Sequence, residues 1–290
     1  PSGSTIKALT TFAGLKYGIC DGNSSWYCTG FWTGFGEQYG MHCWLLSGHG
    51  TVNLITGITN SCDIVFYEIG KGFFYNNDHP EGMQETFRDF GLGALSGIDL
   101  PEEASGRVPD AEWKWNYFTS SPDDARKWQG GDNCNLAIGQ GDLLVTCLQM
   151  ANAYCGIANR GPIYKPHVLK SVNARNGNGS VIEYKNEVIL SPEEKDEHRD
   201  IVARGLYGVV YEESASQTIH WTNLDVTVNG KTGTAEQQSI GEPVGWFVGY
   251  APADKPQYVV AANLDCAPSG AGSGMYIVRD VFGAIYNQPD

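Results

Sequence analysis

The chain has no excess of positive charge. Its 19 Lys and Arg stand against 33 Asp and Glu, a formal net charge of −14 over 290 residues. So acidic a balance argues against nucleic acid or an anionic membrane surface as the main partner. Long apolar runs are also missing. Ile64 to Tyr67 and Val259 to Leu264 are among the longest, far short of the ~20 residues that a bilayer requires. Neither a membrane span nor a signal peptide is read in the chain. There is no internal repeat, no low-complexity tract, no G-x-S-x-G elbow and no C-x-x-C knuckle. Charged residues make up only 18% against a hydrophobic share of 41%, which excludes disorder. What abounds is glycine, with 37 residues, a sign of tight turns and close backbone approaches. Eight cysteines are too many to be incidental.

Apolar spacing lays out the elements. Ile6, Leu9, Ala13 and Tyr17 repeat at helical intervals, so residues 4–17 read as a helix ending near Gly18. Residues 18–60 read mostly as loop. Asp63 to Ile69 reads as a short helix stopped by Gly70. Short helices are expected around 81–90 and 122–128, and a longer one from Leu143 to Asn159. Ser191-Pro192-Glu193-Glu194 reads as the start of a helix, with Pro at its first position and acids in its first turn. Val226 and Val228 then alternate. Gly245 to Tyr250 and Gln257 to Leu264 read as two strands joined by the loop Ala251 to Pro256. Gly274 to Asn287 reads as a closing helix. Helices first and an antiparallel sheet later give an α+β fold. A helix beginning at residue 4 reads as a fragment whose upstream sequence has been removed.

Three short motifs carry chemistry. Ser4-Thr5-Ile6-Lys7 is S-x-x-K, and on a helix residues three apart share a face, so hydroxyl and amine can meet. Ser61-Cys62-Asp63 opens the short helix, where Ser and Asp would also serve as plain caps. Lys231-Thr232-Gly233-Thr234 follows the alternating valines; it offers a cation, hydroxyls and a glycine that admits a ligand close to the backbone. Each has a bland reading as an exposed helix face, a cap or a strand edge. In this order the three resemble the S-x-x-K, S-D-N and K-T-G set of penicillin-binding proteins and class A β-lactamases, with Asp63 where Asn is usual.

The likeness narrows at Asn60 to Gly70, Ile138 to Thr146, Gly230 to Glu236 and Trp246 to Pro252. These blocks resemble class B penicillin-binding proteins of the elongation type, the penicillin-binding protein 2 group, along nearly the whole chain. The resemblance implies one transpeptidase domain over 1–290, truncated at its N-terminus, with an antiparallel sheet flanked by helices and an all-helical region. It implies a D,D-transpeptidase that cross-links peptidoglycan stem peptides on the extracytoplasmic face of a bacterial membrane. Further implications are acylation by β-lactam antibiotics, a glycosyltransferase partner and a missing N-terminal segment, or another chain, that completes an open sheet edge. In that scheme Ser4 attacks the penultimate D-Ala carbonyl and Lys7 takes its proton. Ser61 passes a proton to the leaving or attacking nitrogen. Lys231 keeps Lys7 partly neutral and, with Thr232 and Thr234, draws the substrate carboxylate; Gly233 lies between them. The N–H groups of Ser4 and Thr234 form the oxyanion hole.

Two other classes compete with this reading. A serine β-lactamase, or a β-lactam sensor related to one, would need a glutamate-bearing loop between the second and third motifs, and none is evident. A non-catalytic cell-wall scaffolding module fits poorly with intact Ser4, Lys7, Ser61, Lys231 and Thr232.

Cys28, Cys43, His49 and Cys62 run C-x14-C-x5-H-x12-C. Soft thiolates with one imidazole suit tetrahedral zinc. A structural zinc would staple the loop-rich subregion 18–62 and fix the second motif through Cys62. Elongation-type relatives can carry zinc at this place, so the resemblance supports the same choice. Disulfides and buried free thiols are the competing readings. Taking three cysteines leaves an odd number, Cys20, Cys134, Cys147, Cys155 and Cys266, which weakens a full disulfide framework. The other five histidines, His42, His79, His167, His198 and His220, read as surface or loop residues. Trp113, Trp115 and Trp128 with Tyr117 and Phe118 read as a satellite core.

Overall fold

A computed structural model describes residues 1–175, 179–212, 221–236, 242–267 and 271–287. A 3-10 turn, Gly3–Ile6, leads straight into helix α1 (Lys7–Lys16), buried along nearly its whole length. Four short strands follow: β1 (Ser25–Cys28), β2 (Phe31–Trp32), β3 (Met41–His42) and β4 (Gly50–Asn53). β1 pairs with β4 and β2 with β3, both antiparallel. The helical region comprises α2 (Leu54–Thr59), α3 (Asp63–Tyr75), α4 (Gly82–Asp89), α5 (Ala111–Tyr117), α6 (Asp123–Arg126), α7 (Gly130–Ala137) and α8 (Cys147–Ala158). Strands β5 (Ile163–Tyr164), β6 (Ser171–Asn173), β7 (Ser180–Glu183) and β8 (Val188–Leu190) make two small ribbons, β5 with β8 and β6 with β7. Helix α9 (Asp196–Tyr211) precedes β9 (Asn229–Ala235), β10 (Val244–Ala251) and β11 (Tyr258–Leu264), and α10 (Ala271–Tyr286) closes the described chain.

The last three strands form an antiparallel sheet in the order β11-β10-β9, so the α+β expectation and the hairpin at Ala251–Pro256 hold. β10 is buried at every position, and its period of two divides the core. Trp246, Val248 and Tyr250 join the main core, shared with α1, α3 and α8. Phe247 and Ala251 face the other way, into a second core with Met275, Val278 and Phe282 of α10. Helices therefore cover both faces of the central strand. Among the described residues β11 pairs only with β10. No described helix is long and apolar enough to cross a membrane.

Several boundaries differ from the sequence reading. Residues 18–60 are less loop than expected, because strands of two to four residues are too short to show alternation. α3 does not stop at Gly70 but runs to Tyr75. Gly70 is there for packing: a Cβ would lie 2.8 Å from the Asn133 carbonyl oxygen on α7. Helix α8 starts four residues later than expected, at Cys147, after a Thr146–Gln149 capping box. α9 begins at Asp196, not at Ser191. Glu194 lies outside the helix and is buried against His198 at 3.1 Å. His198 is therefore a buried, paired residue and not a surface one, while His220 lies outside the described residues. The tryptophan cluster is also split. Trp113 and Tyr117 stack beside the Arg107 guanidinium, and Phe118 meets both rings edge-on. Trp128 instead bonds Asn133 and packs on the main core.

Candidate active site and metal cluster

Ser4 sits in the 3-10 turn, and Lys7 is the first residue of α1, with no exposed side-chain surface. The turn is pressed onto β9. Gly3 has φ +52°, and a Cβ there would stand 2.5 Å from the Thr234 carbonyl oxygen and 2.9 Å from its nitrogen. On the strand, a Cβ at Gly233 would come within 2.6 Å of the Ser2 carbonyl. A side chain at either position would separate Ser4 from Thr234, so these two glycines set the distance between nucleophile and strand. Thr5 accepts a hydrogen bond at its carbonyl from the Tyr154 hydroxyl, and Trp246 Nε1 donates to the Pro1 carbonyl, which fixes the turn from below.

The second motif arrives on the turn between α2 and α3. Ser61 has φ +52°, rare for a residue with a side chain. Lys7 Nζ donates to the Ser61 carbonyl at 2.8 Å, to its Oγ at 3.2 Å and to Asp63 Oδ1 at 2.7 Å. The ammonium also lies 5.1 Å from the Phe66 ring centre. Ser4 is not among the hydrogen-bond partners of Lys7 in the described residues. Acid–base contacts of this kind often tighten only once substrate is bound. The expectation gave Lys7 a cationic neighbour in Lys231. Lys7 is also ion-paired with the anionic Asp63, and Lys231 Nζ reaches the Thr232 carbonyl at 3.2 Å and Oγ1 at 3.3 Å. A buried ion pair adds little net stability, but removing one partner strands a charge at a cost of about 3–5 kcal/mol.

On β9, Lys231 is fully buried, Thr232 is half-buried and Thr234 is exposed. The two threonine side chains fall on one face of the strand by its period of two. Sequence reasoning missed Gln140. Its Nε2 donates to the Thr234 carbonyl and its Oε1 accepts from the Glu236 N–H, both at 3.1 Å, clamping the end of the strand. The flanking Gly139 accepts at its carbonyl from the Gly3 N–H at 2.9 Å. Trp44 was missed as well; its N–H donates to Asp63 Oδ2 at 2.8 Å. Nothing local in the sequence marks either contact, which joins residues 19 to 96 positions apart.

Cys28, Cys43, His49 and Cys62 converge, with one ligand atom of each lying within 4.8 Å of the others. His49 Nδ1 is 3.5 Å from Cys28 Sγ and 3.6 Å from Cys43 Sγ. A tetrahedron with Zn–S of about 2.3 Å and Zn–N of about 2.0 Å has S···N edges of about 3.5 Å, so the donor set fits. The Cys62 thiol donates to Cys43 and pulls the latter down to about 5 against the upward push of burial, while Cys62 itself is raised by that hydrogen bond. Main-chain N–H groups of Leu45 and Asp63 reach Cys43, and that of Val65 reaches Cys62, all favouring thiolate. No disulfide joins these cysteines, all of which are free.

The model of the penicillin binding protein transpeptidase domain matches residues 1–286. The chain belongs to this family. A relative from Acinetobacter baumannii, peptidoglycan D,D-transpeptidase MrdA, is 30% identical over 97% of the chain and 42% of its own length. The PBP2 structure from Pseudomonas aeruginosa in complex with WCK 5153 has a TM-score of 0.83 at 27% identity, covering 98% of this chain and 58% of that one. A peptidoglycan synthase complex, solved for the coordination of polymerization and crosslinking, matches with TM-score 0.80 and 26% identity over all of this chain and 46% of that one. The chain spans less than half the length of the first curated relatives it matches, 44% and 42%.

Proposed function

We propose that this domain is the acylating unit of a peptidoglycan D,D-transpeptidase. The observation that carries the reading is the convergence of Lys7, Ser61 and Asp63 within 2.7–3.2 Å, with Ser4 three residues from Lys7 and pressed against the K-T-G strand. Ser4 attacks the carbonyl of the penultimate D-Ala of a stem peptide, and Lys7, as the amine, accepts the hydroxyl proton. The N–H groups of Ser4 and Thr234 receive the oxyanion. Lys231, Thr232 and Thr234 hold the terminal carboxylate. D-Ala leaves, and an amine of a second stem peptide attacks the ester, with Ser61 relaying the proton. β-Lactams enter as analogues of the D-Ala-D-Ala terminus.

Cys28, Cys43, His49 and Cys62 hold a structural zinc closed by four protein donors, which staples residues 18–62 and takes no part in the chemistry. The substrate places the domain on the extracytoplasmic side of a bacterial membrane. A cell-wall glycosyltransferase supplies the glycan strands that it cross-links, in keeping with the synthase complex among the similar structures.

The test is covalent labelling with a fluorescent penicillin followed by peptide mapping. Ser4→Ala is expected to abolish the label with the fold intact, and retained label would refute the assignment. Steady-state hydrolysis of nitrocefin separates the alternatives, since a transpeptidase stays acylated and a β-lactamase turns over.

A further inference from the structure

The side chain of Gln140 does for β9 what a neighbouring strand would do. In the order β11-β10-β9, one edge of β9 has no partner strand among the described residues. In an antiparallel ladder a residue turns its N–H and its carbonyl to the same side, and the side alternates along the strand. Thr234 turns its carbonyl to the open side, where it accepts from Gln140 Nε2 at 3.1 Å. Two residues on, the N–H of Glu236 turns the same way and donates to Gln140 Oε1, also at 3.1 Å. The Thr234 N–H therefore points out along this edge as well, on the side where Gly3 is pressed against the Thr234 backbone.

The support is itself anchored. The Gln140 N–H donates to the Asn135 carbonyl of α7 at 2.9 Å, and the Gly139 carbonyl accepts from the Gly3 N–H at 2.9 Å. Gly139 has φ +74°, and a Cβ there would collide with the Gly3 carbonyl. Two consecutive residues thus hold both arms of the proposed oxyanion hole. Gly139 holds Gly3, whose peptide bond carries the Ser4 N–H, and Gln140 holds Thr234. The chemistry of the contact selects an amide. The Thr234 carbonyl needs a donor and the Glu236 N–H an acceptor, side by side. A carboxylate offers only acceptors and an ammonium only donors, whereas an amide offers one of each. So does a carboxyl group that keeps its proton.

We propose that Gln140 is a positioning residue of the oxyanion hole, a one-residue substitute for a strand that holds the end of β9 so that the Thr234 N–H meets the charge developing on the substrate. Gln140 itself touches no reacting atom. Its value lies in preorganisation, since a donor stabilises an oxyanion only if it is already aimed at it. Removing one such donor costs about 10²–10³ in rate, and loosening it costs part of that. The proposal rests on the reading of Ser4 and Thr234 given above; the two hydrogen bonds of Gln140 do not.

The experiment is stopped-flow acylation by a fluorescent penicillin, with non-covalent binding and the acylation step resolved, on the parent, Gln140→Ala and Gln140→Glu across pH. Gln140→Ala is expected to slow the acylation step about tenfold at every pH and to leave binding nearly unchanged, because the hole is used only once charge develops. Gln140→Glu is the decisive variant. Its protonated carboxyl restores both bonds, while its carboxylate sets oxygen against the Thr234 carbonyl. An ordinary Glu titrates near 4.3. The half-buried seat, that carbonyl and the charges of Glu236 and Asp142 all favour the protonated form, against the pull of Arg107 on Asp142. The acylation rate of Q140E relative to the parent is therefore expected to approach one as pH falls to about 5 and to drop at least tenfold by about pH 8. Taking the ratio removes the titration of Lys7 and Lys231, which both proteins share. A side chain that merely filled space would give a flat ratio, and a flat ratio overturns the proposal. So does a Q140A protein that acylates like the parent or loses only binding. If the variants do not fold, the parent decides: its Glu236 amide is expected to exchange at least tenfold slower than a free amide, and fast exchange refutes the support. A parent that is never acylated would refute the proposed function while leaving the exchange readout in force.

Discussion

At the residue scale, the proposed recognition of the substrate carboxylate falls on β9. Thr232 is half-buried and bonded to Lys231, so its hydroxyl is held rather than free to rotate. Thr232→Val keeps the shape and deletes the donor. Loss of one charge-assisted hydrogen bond, about 1.5–3 kcal/mol, is expected to slow acylation about 10–100-fold. A β-lactam whose carboxylate is esterified is expected to lose a similar factor on the parent and little on the variant. Stopped-flow acylation with the acid and the ester checks both, and equal rates for the two on the parent would count against carboxylate recognition. The motifs named Ser4, Lys7, Ser61, Asp63, Lys231 and Thr232 from sequence, because each motif is local. Gln140 and Trp44 were not legible, because their value lies in a partner far along the chain.

At the element scale, α3 carries the second motif at its first turn, and its seat against α7 fixes where that turn lies. The seat depends on Gly70, whose missing Cβ leaves room for the Asn133 carbonyl, and Asn133 Nδ2 donates back to the Gly70 carbonyl at 3.2 Å. Alanine favours helix by about 1 kcal/mol over glycine, yet here it meets backbone at 2.8 Å. Overpacking against rigid backbone costs about 1–3 kcal/mol and wins. Gly70→Ala is therefore expected to lower Tm by several degrees, at about 2–4 °C per kcal/mol for a chain of this size, and to slow acylation through displacement of Ser61 and Asp63. Calorimetry with the labelling assay checks it; an unchanged or raised Tm would show that α3 is free to shift. A helix-stop rule read Gly70 as an end because the rule sees only neighbours in sequence.

At the scale of the whole molecule, the cysteine cluster joins β1, the loop after β3, the segment before β4 and the start of α3. Elemental analysis is expected to find about one zinc per chain, as in closed four-ligand sites. Removal by a chelator is expected to raise amide exchange over residues 18–63 and to slow acylation of Ser4 without altering the nucleophile itself. Because thiolate ligands compete with protons, zinc retention is expected to fall as pH drops. Metal-free protein that acylates at full rate, or a Cys28–Cys43 disulfide in a mass map, would reject the structural role.

What the sequence determined by itself is what periodicity and short motifs encode. The hairpin of β10 and β11, the helix of α1, the closing α10 and the α+β order all follow from apolar spacing. The family followed from three motifs in order. The cysteine cluster was legible from residue type, since three thiols and an imidazole are a donor set that suits zinc, although disulfides and free thiols competed. Only the tertiary structure decided that α3 runs through its glycines, that His198 is buried against Glu194, and that Lys7 is ion-paired with Asp63. It alone gave Asp63 two donors at once. The reason is the same in each case: burial and hydrogen-bond partners belong to surfaces brought together from distant parts of the chain, and a linear pattern records only the surface that each segment offers, not the one that it meets.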